Sequence, residues 1–112
     1  MKASQLSGGI VNKVRTITGV TTTDLTLTYS DQEVVVNRAA AVNITIPVNL
    51  EVGKTFRLHD IGAGRLTLVG QTDGPVSVTL LSESGLFVSL AQYNVIDLIV
   101  IAANTVIVKG NV

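Results

Sequence analysis

The sequence predicts an all-β fold: an antiparallel, jelly-roll-like β-sandwich of about 8–10 short strands behind an extended N-terminal arm. Three observations carry that expectation. Val, Ile and Thr together supply 40 of the 112 residues, and β-branched side chains suit a pleated, half-buried surface. Apolar and polar residues alternate with period two in one segment after another, with turn signals roughly every 8–12 residues. No stretch of about a dozen residues holds a helical period.

Residues 1–9 are polar and end in two glycines, which reads as a flexible arm. Residues 10–18 alternate weakly and admit a strand. The arm and this strand, residues 1–23, are set apart from a sandwich domain over residues 24–112. There Leu25, Leu27 and Tyr29 share one face and Thr26 and Thr28 the other, up to a Ser30-Asp31 turn whose side chains can bond the backbone just ahead. Residues 33–37, with the run Val34-Val35-Val36, read as a short strand. Val42, Ile44 and Ile46 alternate with Asn43 and Thr45 until Pro47 removes a ladder donor.

Residues 55–60 alternate again, and Gly62-Ala63-Gly64 reads as the tight turn of a hairpin returning through residues 65–69. Asp73-Gly74-Pro75 is the clearest turn in the chain. Val76, Val78 and Leu80 alternate, residues 82–85 form a loop, and residues 86–90 suggest one more strand. Residues 95–102 are almost wholly apolar, broken by Asp97, and Asn104 separates them from Val106-Ile107-Val108.

Charged residues make up 14% of the chain, eight basic against eight acidic, where an average soluble domain has about 25%. A net charge of zero excludes a strongly basic nucleic-acid binder. No apolar run has bilayer-spanning length, and the polar opening Met1-Lys2-Ala3-Ser4-Gln5 does not read as a signal core. The absence of cysteine excludes disulfides and thiolate chemistry.

Residues fit for catalysis are few. His59 is the sole imidazole, and Asp60 beside it would point to the opposite face of a strand, so the pair does not form half of a triad. It reads as a structural or surface residue; only a three-fold assembly could gather three copies around an ion. The run from Asp60 to Arg65 superficially suggests a phosphate loop but lacks the third glycine and the Lys-Ser/Thr of a P-loop. Asn43-Ile44-Thr45 matches a glycosylation acceptor and reads as strand alternation. No enzyme, metal or cofactor follows from this inventory.

The run from Leu25 to Asp31, the valines ending in Asn37, and Ala41 to Pro47 resemble a recurrent β-rich module of tailed-bacteriophage virion proteins. Val52 to Gly62 is similar to the module's next element, and Leu66-Thr67-Leu68 with Leu98-Ile99-Val100 to its final hairpins. The likeness spans about residues 24–108 and departs at residues 102–106, where the module's aromatic turn is missing. It implies a structural role rather than catalysis: a homotrimeric capsid decoration (cement) protein binding the major capsid protein at capsomer junctions, made in the host cytoplasm and placed on the phage head. The alternative it implies is a tail-fibre or baseplate module that binds a host glycan.

Low charge and strands apolar on both faces favour association, because such surfaces are poorly suited to staying wet. The interface candidates are Ile10, Val11, Val14 and Ile17 near the arm, and Asp97, Ile99 and Ile101 in the apolar C-terminal run. Gln92, Tyr93 and Asn94 are the loop-contact candidates under the glycan alternative, since exposed aromatics are the usual stacking platforms for sugars.

Overall fold

The computed structural model describes residues 17–21, 23–110 and 112. Eleven strands form: β1 (Ile17–Val20), β2 (Asp24–Thr26), β3 (Glu33–Val36), β4 (Val42–Ile46), β5 (Thr55–Asp60), β6 (Leu66–Gly70), β7 (Thr72–Asp73), β8 (Val76–Ser77), β9 (Thr79–Ser82), β10 (Asn94–Ala102) and β11 (Thr105–Gly110). The all-β expectation holds among these residues.

The sandwich does not. The chain winds as a β-solenoid of about three turns with mostly parallel strands. Strands β1, β3 and β5 pair in parallel along one wall, and β2, β4 and β6 pair in parallel along the other. After the third turn the chain reverses. Strand β10 pairs antiparallel with β5 and with β11, and β9 joins β11 in parallel. The result is a six-stranded sheet in the order β1-β3-β5-β10-β11-β9, facing a three-stranded sheet β2-β4-β6. The two short strands β7 and β8 pair as a hairpin across the turn expected at Asp73-Gly74-Pro75.

Gly62-Ala63-Gly64 explains the difference. It is not a hairpin turn but the corner through which β5 passes to the other wall as β6. This corner lies directly on the corner of the preceding turn: the Gly64 N–H donates to the Arg38 carbonyl at 2.8 Å and the Ile61 N–H to that of Val36 at 2.9 Å. A β-carbon on Gly62 would stand 2.2 Å from the Arg38 nitrogen, and one on Gly64 1.9 Å from the Ala40 carbonyl oxygen. Glycine is needed there for close approach of two backbones, a demand from a segment more than twenty residues earlier. The strand suggested over residues 86–90 is reduced to one bridge, Thr67 to Val88.

The core lies between the two walls as stacked rows, because parallel strands in register place equivalent side chains one above the next. Val34, Leu58 and Ile96 form one buried row, and Phe56, Leu98 and Val108 another. Leu25, Ile44 and Leu68 stack on the opposite wall.

Of the arm, residues 1–16 lie outside the described residues, and with them the interface candidates Ile10, Val11 and Val14. Ile17 opens β1, paired with β3 at the edge of the six-stranded sheet.

Candidate functional site

The surface of the six-stranded sheet that faces away from the core carries several exposed apolar residues together with an ordered row of charge. Alternation builds it. In β10, Asn94, Ile96, Leu98 and Val100 point inward, which turns Val95, Asp97 and Ile99 outward. A bulge between Val100 and Ala102 interrupts the pairing with β11 and leaves Ile101 exposed as well. Asp97, Ile99 and Ile101, the three described interface candidates of the C-terminal run, therefore share this surface.

Register then sets the rows. Glu33 on β3 pairs with Arg57 on β5, Arg57 with Asp97 on β10, and Asp97 with Lys109 on β11. Four adjacent strands thus carry charges in the order minus, plus, minus, plus. The Arg57 Nε donates to Asp97 Oδ1 at 2.8 Å. That bond and the carboxylate's charge, with a smaller contribution from Glu33, push the guanidinium pKa above its ordinary value. Opposite charges on neighbouring strands support the pairing they sit on.

Apolar rows flank the charges. On one side Thr55, Ile99, Ile107 and Leu81 lie abreast. On the other, Val35, His59 and Val95 do. Val95 is 40% exposed, and Leu81 and Ile101 are 45% exposed each. Beyond Ile107 and Lys109 the face continues into a groove of about 740 Å³ that also reaches Leu90 and Val112.

His59 stands within this face, its Nε2 2.7 Å from Glu33 Oε1. Asp60 points the other way, into the core, so the two do not act together, as strand alternation requires. Asp60 is 1% exposed. Ser89 Oγ donates to its Oδ2 at 2.8 Å while accepting the Leu66 N–H at 2.9 Å, and its Oδ1 is buried with no hydrogen-bond partner. Burial raises the Asp60 pKa above its ordinary 3.8, and the Ser89 bond opposes that only in part.

The consequence for stability has a definite sign. Well below pH 3.8 the carboxyl is protonated in both states and no penalty exists. Between that value and the raised folded value, the native state holds a proton that the unfolded chain has released, so stability falls as pH rises, then levels off. Asp60→Asn should therefore be more stable than wild type by about 1 kcal/mol at pH 7, with the gain vanishing near about pH 3. Urea midpoints across that range check it; a pH-independent difference would contradict the burial argument.

The loop-contact candidates separate. Gln92 Nε2 donates to the Ile61 carbonyl at 2.9 Å, and Asn94 is buried in register with Asp60. Tyr93 projects furthest: it is 74% exposed and held in the left-handed region at φ 65°. Among the described residues no group of three or more His, Asp or Glu side chains could hold a metal, and no helix is long and apolar enough to cross a membrane.

Glu33, Arg57 and Lys109 were not singled out from the sequence as a group. The available signal was local: Glu33-x-Val35, Arg57-x-His59, Asp97-x-Ile99 and Ile107-x-Lys109 each put a charge on the same side of a strand as a neighbour two residues away. What aligned them was pairing between strands far apart in the chain.

Comparisons with known proteins add no relative: no family model, no curated protein and no solved structure matches the chain.

Proposed function

We propose that the chain is a structural assembly protein of a bacteriophage virion, decorating the head by laying the outer face of its six-stranded sheet against capsid protein and its own copies. The observation that carries this reading is β10. One side fills the core, and the other leaves Val95 and Ile101 in the open on either side of Asp97. Apolar side chains left exposed on the outer face of a sheet are a common mark of an interaction site. Attachment would stabilise the shell by mass action, each bound copy adding contacts that a lone capsomer lacks.

Exposed Tyr93 favours one second reading, a tail-fibre or baseplate module that stacks a host glycan on that ring. Gold-labelled antibody raised against the purified chain separates the two on particles from the chain's own source. Label on heads is expected. Label confined to tails would favour the glycan module, and unlabelled particles would overturn both.

A further inference from the structure

We infer that the outer face of the six-stranded sheet pairs with the same face of a second copy about a two-fold axis parallel to the strands, running between β5 and β10. The inference rests on the assembly reading and names the partner of that face.

The argument is one of symmetry and sign. The row Glu33, Arg57, Asp97, Lys109 reads minus, plus, minus, plus across β3, β5, β10 and β11. A row of this kind is complementary to its own reverse. Rotation about an axis along the strands, through the midpoint of the row, sets Glu33 opposite the second copy's Lys109 and Arg57 opposite its Asp97, so every facing pair is attractive. Rotation about the perpendicular in-plane axis would set each charge opposite itself, and every facing pair would repel. The charge order therefore selects one two-fold axis over the other, as complementary potentials commonly fix orientation.

The sheet order supports the same axis. In β1-β3-β5-β10-β11-β9 the midpoint between β5 and β10 is the centre of the sheet, so β5 lies over β10 of the second copy and Glu33-Val34 of β3 over Lys109-Gly110 of its β11, while β1 and β9 sit at opposite ends of the sheet and do not meet. The flanking rows meet without placing a carboxylate, guanidinium or ammonium on an apolar side chain. Thr55 faces Ile99 of the second copy and His59 faces its Val95. A three-fold ring, the arrangement implied by the virion resemblance, holds its faces at an angle to one another and cannot lay one whole row on another.

Two strands that overlap over about six residues and two that overlap over about two, at roughly 3.3 Å per residue and about 4.8 Å per strand, offer roughly 250 Å² per copy. That is below the roughly 800 Å² per partner of a standard interface, so the expected affinity is micromolar or weaker. The charges set its register and make it salt-sensitive.

Sedimentation equilibrium between about 1 and 500 µM tests this on the full chain, the range a weak interface of this area calls for. Wild type should pass from monomer to dimer, with weaker association at high salt. Arg57→Asp sets a new carboxylate against Asp97 of the second copy, and Asp97→Arg sets a new guanidinium against its Arg57, twice per dimer in each case. Each variant alone should weaken self-association at least about thirtyfold. Mixed in equal amounts, the two should form a heterodimer within about threefold of wild-type affinity, because each copy then presents the charges the other lacks. Recovery on mixing also shows that both variants are folded. The row ends supply a second pair, Glu33→Lys with Lys109→Glu, expected to behave the same way.

A wild type that stays monomeric or forms trimers overturns the pairing, as does a mixture that fails to recover while both variants keep the wild-type circular dichroism. Monomers whose antibody still labels phage heads would overturn the pairing and leave the virion role standing. Dimers that recover on mixing, with no particle labelled, would do the reverse.

Discussion

Gly64→Ala should cost about 3 kcal/mol or more of folding stability, a large share of the roughly 5–15 kcal/mol that a domain of this size has. The added β-carbon would stand 1.9 Å from the carbonyl oxygen of Ala40 and 2.3 Å from its carbonyl carbon. Both are backbone atoms, so no side chain can swing aside. The Gly64 N–H is already tied to the Arg38 carbonyl, and Val42 N–H to that of Arg65, so opening the corner breaks the hydrogen bonds that join the second turn to the third. Gly74→Ala is the control. Nothing lies within 4 Å of that position, and its φ of +62° is the only obstacle, which costs about 1–2 kcal/mol. Urea denaturation followed by circular dichroism should rank Gly64→Ala well below Gly74→Ala. The opposite order would mean that the two corners are not in contact.

Phe56→Ala should cost about 3–5 kcal/mol. Phe56 is the largest fully buried side chain, in the row with Leu98 and Val108 where β5, the last strand of the solenoid wall, meets the reversing hairpin β10–β11. Its ring also lies under the Lys54 ammonium, 4.8 Å from the centroid. The same ammonium donates to the Asp31 carbonyl at 2.7 Å and lies 5.2 Å from the centre of the Tyr29 ring. Truncation would leave a cavity at the seam between solenoid and hairpin and loosen this tie to residues 28–31. Phe56→Leu keeps most of the volume and should cost less than about 2 kcal/mol. A Phe56→Ala loss no larger than that of Phe56→Leu would mean that the hairpin is not packed on the third turn.

Strand positions were largely legible because alternation is a local property. Val34 to Val36, Val42 to Ile46, the run from Thr55 to Asp60 and the C-terminal pair all fall where period two and turn residues place them. The Asn104 turn is equally local: with φ at 52° it closes the β10–β11 hairpin as an asparagine tolerates. The sides of the strands were legible too: alternation puts Asp97, Ile99 and Ile101 on one side of a single strand.

Partners were not legible. A strand with period two can pair in parallel or antiparallel, and Gly62-Ala63-Gly64 satisfies a hairpin turn as well as a close-packed corner. The choice was made by contacts with residues 36–40, which no local window contains. The charged row has the same origin. Glu33, Arg57, Asp97 and Lys109 look dispersed along the chain, and only the register of four strands turns them into an ordered sequence of signs.

By itself, then, the sequence determined where most of the strands lie, which side chains each presents together, and that charge is sparse. Those follow from backbone sterics and side-chain chemistry acting over a few residues. The tertiary structure alone decided that the strands coil into parallel stacks rather than fold back as hairpins, and that one face carries a self-complementary row. Strand pairing is a free-energy choice among segments tens of residues apart, in which stacked core rows and touching backbones outweigh the preference of any single turn.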